Sequence, residues 1–183
     1  LGVYDGLSAV LENGLAWGIP YWLGRIYFFA ADGLRDLAWG FFLGGLLYVP
    51  LCWFEILDGP YLQFAVYGVY PDAVMDAFRF GGWRPIVFMA HGLMVALWMT
   101  AASVCGMVLL FGGVLARCGR WQGAAAVLVL VATTFALKSV NAWLLLGGVM
   151  MMLLFPMRLQ RAWLIQGTIA LIFVYLFSRV TGL

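Results

Sequence analysis

The chain has 183 residues, of which 66% are hydrophobic, 17% aromatic and only 10% charged. Soluble domains are about one-quarter charged; a water-soluble fold of this size could not hide so much apolar surface, so much of it must face lipid. The net charge of +2 is too small to argue for a nucleic-acid partner.

In chain order, apolar helical segments are expected at 13–31, 37–57, 85–116, 122–137, 139–155 and 163–179. A helical crossing takes about 20 apolar residues, and none of the segments alternates as a barrel strand would. The expectation is an all-α polytopic integral membrane protein with about six transmembrane or re-entrant helices, folded as one membrane-embedded domain over 1–183. The first segment is the weakest, because Pro20 and Arg25 interrupt it, and a kinked or re-entrant path suits it. The third is long enough to tilt or to project from the bilayer. The turn at Leu137–Ser139 is short and predicts a tight antiparallel hairpin of the fourth and fifth helices. The opening "LGVYDGLSAVLENGLAW" has neither initiator Met nor a basic n-region, and "LFSRVTGL" stops just beyond a helix, so the chain is expected to be a piece of a longer protein.

Lys and Arg in short loops set orientation. The turns "ARCGRWQ" (Arg117, Arg120) and "PMRLQRAW" (Arg158, Arg161) are two crossings apart and are assigned to the cytoplasm, with Arg35 on the same side. The segment 58–84 and the turn at Lys138 then face outward. Cys52, Cys105 and Cys118 show no metal-ligand spacing and do not make a disulfide framework; they read as small core residues.

Arg79 and Arg84 oppose the charge trend, which points away from a topology role. In "GGWRP", Gly81 and Gly82 let the backbone turn and approach a ligand, and Pro85 suits the first turn of a helix. Arg84 is therefore expected at a helix N-terminus, where dipole and free N–H groups favour an anion. Two guanidinium forks match phosphate oxygens, so a phosphate or pyrophosphate at the outer membrane surface is one reading; pairing with Asp72, Asp76 or lipid head groups is the other. His91 follows by seven residues, roughly 10 Å along the same helical face, and is a candidate proton acceptor or donor; a neutral imidazole bonded to a backbone carbonyl is the plainer alternative. Glu55 is a candidate base, with the counter-ion of Arg79 or Arg84 the favoured role. Arg25, in an apolar stretch, needs a carboxylate, a phosphate or an interface. Lys138 is a further candidate, read first as an interfacial anchor. No metal or cofactor is expected, because no second His exists and no carboxylate pair has ligand spacing.

In the order "GIPYWLGRIYF", "GGLLYVPLCWFEILDGPYLQFAVYG", "RFGGWRPIVFMAHG" and "LKSVNAWLLLGG", the chain resembles the membrane-embedded O-antigen ligase and polymerase family over about 19–150. The resemblance implies transfer of a glycan from an undecaprenyl-pyrophosphate-linked donor in the bacterial inner (cytoplasmic) membrane, with lipid-linked glycan and membrane lipids as partners. It matches Arg84 to the family's first pyrophosphate-binding arginine. Arg79 and Arg25 would assist, and the acceptor's proton would go to His91 or Glu55, or to a base that belongs to the family's loop and is missing here. The family's large extracytoplasmic loop, with its further arginine and His-Asn pair, has no counterpart before Leu183, and His91 is not that histidine by position. A rival reading is a non-catalytic membrane subunit that packs against partner helices through "FFLGGLL", "LLGGVMMM" and "GAAAV". A minor one is a transpeptidase of the exosortase type using Cys52, Arg84 and His91.

Overall fold

A computed structural model describes residues 3–70, 77–154 and 167. The expectations for Asp72, Asp76, Arg158, Arg161 and the segment 163–179 lie outside the described residues, as do those for the side chains of Arg117, Cys118 and Arg120. The described part is mostly helical, with one short hairpin and its connecting loops: α1 at Val3–Asn13, α2 at Ile19–Tyr27, α3 at Ala31–Asp58, α4 at Leu62–Tyr67, β1 at Phe78–Arg79, β2 at Gly82–Trp83, α5 at Gly92–Phe111, α6 at Arg120–Ala136 and α7 at Val140–Leu154. The chain divides into two units, Leu1–Ser139 and Val140–Leu183. α7, the described helix of the second unit, is an apolar helix of 15 residues.

The first segment is not one helix. A π-helical turn at Gly14–Gly18 joins α1 to α2, and the chain leaves α2 at Phe28 before α3 begins. Pro20 falls in the first turn of α2, where its missing N–H costs little. The aromatic side chains of this arm, Tyr4, Trp17, Tyr21, Trp22 and Tyr27, are exposed.

The core of the first unit is the packing of α3, α5 and α6 on one another. α3 and α5 are long and apolar enough to cross a membrane, with mean hydropathies of 1.7 and 2.1 in their most apolar windows. At 1.5 Å per residue they measure roughly 40 and 30 Å. Small residues allow α3 and α5 to approach closely: a Cβ on Gly45 would collide with the Ala102 Cβ, and one on Gly106 would come within 2.8 Å of the Phe42 ring. Hydroxyls and an indole tie the helices laterally. Trp53 Nε1 donates to Thr133 Oγ1 at 3.0 Å, joining α3 to α6. Ser103 and Thr134 share a hydrogen bond of 3.0 Å between α5 and α6, and each also donates or can donate to the carbonyl one turn back, Met99 O and Leu130 O. Outside this core Leu43, Leu47, Leu57, Leu97, Val108, Phe111, Trp121, Leu128 and Phe135 are exposed, far more apolar surface than water-facing helices carry.

The bundle runs up, down and up. The end of α3, the β-hairpin, the start of α5 and the end of α6 gather at one pole; the start of α3, the end of α5 and the start of α6 lie at the other. Helix α5 starts at Gly92 and not at Pro85. The expected helix 85–116 is therefore shortened at its beginning, and Arg84 does not stand on its first turn.

Candidate anion-binding site

The hairpin carries the site. β1 and β2 are antiparallel, with Phe78 opposite Trp83 and Arg79 opposite Gly82. Phe80 and Gly81 form the two-residue turn with φ of 50° and 71°. Positive φ at both central positions is the geometry whose twist suits a hairpin. Arg84 N donates to Ala77 O at 2.7 Å and extends the ladder by one residue. Side chains alternate between faces along a strand, and directly opposed residues share a face. The segment "FRFGGWR" thus sorts itself into two faces. Phe78 and Trp83 make an aromatic face, their rings 5.2 Å apart and nearly perpendicular. Arg79, Gly82 and Arg84 make the other.

The aromatic face anchors the hairpin to α3. Gly59 ends α3 at φ 96°, and a Cβ there would lie 3.4 Å from Cε2 of the Trp83 indole. The cationic face is completed from another element. Lys138 follows the last turn of α6 at φ 52°, and a Cβ on Gly82 would collide with Lys138 Nζ. The missing side chain of Gly82 is the space the ammonium fills. Arg79, Arg84 and Lys138 therefore converge on one face of the short hairpin, with opposed positions about 5 Å apart at Cβ and alternate positions about 7 Å apart along the strand.

Arg84 is the centre of this face. It is 8% exposed, and its Nε and Nη2 are buried without a hydrogen-bond partner among the described residues. These two nitrogens lie on the same edge of the guanidinium, the edge that binds two oxygens of one phosphate or carboxylate. The side chain runs across the start of α5: a Cβ on Gly92 would come within 2.9 Å of Arg84 Cδ and Nε. The positive end of the α5 dipole and a buried cation are thus set together. Burial first, and then the neighbouring Arg79 charge, push the Arg84 guanidinium below its ordinary pKa. Arginine keeps its proton at any accessible pH, so the shift registers as a cost of holding the charge there, and a bound anion offsets that cost.

Glu55 does not neutralise Arg84, contrary to the counter-ion expectation. It is fully buried at the last turn of α3. Its Oε2 accepts Ile86 N–H at 2.8 Å and Val87 N–H at 2.7 Å, and its Oε1 accepts Leu62 N–H at 3.1 Å. Val87 has φ 53°, an unusual conformation for a β-branched residue that costs about 1–3 kcal/mol. Glu55 holds that strained loop in place, and the loop holds Arg84. Both carboxylate oxygens are committed to backbone, which suits a brace better than a base.

His91 is exposed, extended at φ −160°, and stands at the N-cap of α5 without a capping hydrogen bond from its side chain. Its carbonyl accepts Met94 N–H at 3.0 Å. The expected two helical turns between Arg84 and His91 do not exist; the two are joined by the non-helical stretch 85–91, and His91 adjoins the glycine on which Arg84 lies. Arg25 is not brought to the site by any described contact. It is exposed on α2, where its Nη1 donates to Tyr21 Oη at 3.2 Å. Cys52 is fully buried within α3, a poor position for the transpeptidase nucleophile considered above. Lys138, read first as an anchor, is the residue whose part sequence reasoning understated; the glycine at 82 was the signal, since an alternating hairpin leaves one cationic-face position empty there.

No protein-family model, no characterised protein and no solved structure matches this chain, so the site is read from its own geometry.

Proposed function

We propose that this is a polytopic helical protein of the bacterial inner membrane whose outward pole grips the phosphate groups of a lipid-linked glycan, and that it serves glycan transfer from an undecaprenyl-pyrophosphate-linked donor as O-antigen ligases and polymerases do. The observation that carries the reading is the Arg84 edge: two adjacent N–H donors, nine-tenths buried, with no acceptor among the described residues. A buried donor left unmade costs about 1–3 kcal/mol, more when charged. Such a group in a native structure calls for an explanation, and a ligand that completes it is the one that the phosphate-matching edge favours. The exposed apolar flanks of α3, α5 and α6 support a lipid setting, and the α6–α7 turn meets the hairpin at one pole, in keeping with the side that the charge pattern gives both.

In this reading an acceptor hydroxyl oxygen attacks the anomeric carbon of the donor. The bond from that carbon to the pyrophosphate oxygen breaks, the hydroxyl proton passes to His91, and the polyprenyl diphosphate leaves. Arg84, Arg79 and Lys138 face the charge that grows on the leaving group, which lowers the barrier electrostatically. Glu55 holds the loop.

The test is retention of a polyprenyl-diphosphate-linked sugar by the full chain in lipid nanodiscs. Arg84→Ala and Arg84→Lys are both expected to weaken retention by about 10–100-fold, because a lysine cannot reproduce the fork. Unchanged retention in both variants, at unchanged expression, favours the packing-subunit alternative. That alternative has lost part of its basis, because the glycines of "FFLGGLL" are used inside the chain: a Cβ on Gly45 would collide with Ala102, and one on Gly44 would lie 3.0 Å from the Trp98 ring.

A further inference from the structure

We infer that Lys138 is the residue that selects a diphosphate over a monophosphate at this site. The inference rests on the anion-binding reading above and adds a division of labour to it. Three observations carry it.

The first is register. Gly82 and Arg84 are alternate residues of one strand and share its face, and Arg79 is directly opposite Gly82. Lys138 Nζ occupies the side-chain space of Gly82. The ammonium fills the side-chain position of residue 82, and positions 82 and 84 are alternate places on that face, about 7 Å apart along the strand. The second is chemistry. The paired Nε and Nη2 edge of Arg84 is filled by two oxygens of a single phosphate. A second phosphate needs a second donor displaced along the face, and a point charge with rotatable donors suits it. The third is availability. Among the described residues Lys138 has no hydrogen-bonded or ion-paired carboxylate, and the buried carboxylate at the end of α3, Glu55, is taken by Leu62, Ile86 and Val87. The Lys138 backbone is held at φ 52° after α6.

A monophosphate engages Arg84 alone. A diphosphate spans Arg84 and Lys138, with Arg79 at the exposed margin. One charged hydrogen bond is worth about 1.5–3 kcal/mol, or roughly 10–100-fold in affinity.

The experiment is a titration of the full chain in lipid nanodiscs with three probes: a polyprenyl diphosphate, the matching polyprenyl monophosphate, and inorganic pyrophosphate. The wild type is expected to prefer the diphosphate lipid by about 10–100-fold. Lys138→Asn, which tolerates the left-handed backbone, is expected to bring the diphosphate down to the monophosphate affinity and leave the monophosphate unchanged. Lys138→Arg should keep the preference. Gly82→Ala offers a second route, since its methyl displaces the ammonium while leaving the lysine in place; the same loss of preference is expected. Equal losses on both lipids in Lys138→Asn and Gly82→Ala, or no loss on either, overturn the inference. No binding of any probe by the wild type overturns the anion-site reading itself. Inorganic pyrophosphate bound as tightly as the lipid, with the same dependence on Lys138, supports the selectivity and overturns the lipid source.

Discussion

The middle of the bundle and its hairpin pole are built on opposite terms. Between α3, α5 and α6, glycines admit close packing and the hydroxyls of Thr100, Ser103, Thr133 and Thr134 are all hydrogen-bonded; the Trp98 indole N–H is the orphan there, and it is neutral. At the pole a guanidinium is buried with two donors that find no partner among the described residues, a valine is held at positive φ, and three cations share one face. The first region minimises its own free energy. The second holds itself in a state that an anion would relieve, and a fully buried carboxylate that could have neutralised it is spent on holding its backbone. Among the described residues Gln63 Oε1 is also buried without a partner, but the charged orphan stands at the hairpin, beside the strained Val87.

Several substitutions sharpen that contrast. The largest effect is expected at the joint between the regions. Glu55→Ala leaves three backbone N–H groups without an acceptor and should cost about 3 kcal/mol or more of stability, read as unfolding of the purified chain in detergent. It should also abolish anion binding, because Val87 and Arg84 lose their support. Within the core, Gly45→Val drives a side chain into Ala102 and should cost about 1–3 kcal/mol by overpacking, while the hairpin binds anions as before if its effect stays local. Trp53→Phe removes the bond to Thr133 and should cost about 1 kcal/mol in the same assay. The smallest effect on folding is expected for Arg79→Ala, because the side chain is exposed; its signature is instead a modest fall in anion affinity that vanishes at high salt.

The long helices were legible because apolar runs of that length have few alternatives. α3, α6 and α7 begin or end close to the expected limits. The start of α5 was not legible. Pro85 carries the local signal of a first helical turn, but the N–H groups of Ile86 and Val87 are claimed by Glu55 more than thirty positions earlier in the chain, and a local rule cannot see that partner. The break of the first segment into α1 and α2 was partly legible at Pro20; the π-helical turn before it was not. At the candidate site, Arg84 and Arg79 stood out in the sequence as two guanidinium forks against the charge trend; that they bind phosphate is the proposal. Their shared face was there to be read in the alternation of "FRFGGWR", but glycines that signalled a turn also hid a hairpin. Lys138 reaches Gly82 only through tertiary packing, and no spacing in the sequence announces a contact across 56 positions.

The most direct measurement is thermal unfolding of the full chain in nanodiscs, with and without a polyprenyl diphosphate, for the wild type and Arg84→Met. The account predicts that Arg84→Met is the more stable protein when empty, by about 1 kcal/mol or more because a buried charge with no partner among the described residues is gone, and that the lipid stabilises the wild type but not the variant. A variant that is less stable when empty, yet is stabilised by the lipid as much as the wild type, would contradict it.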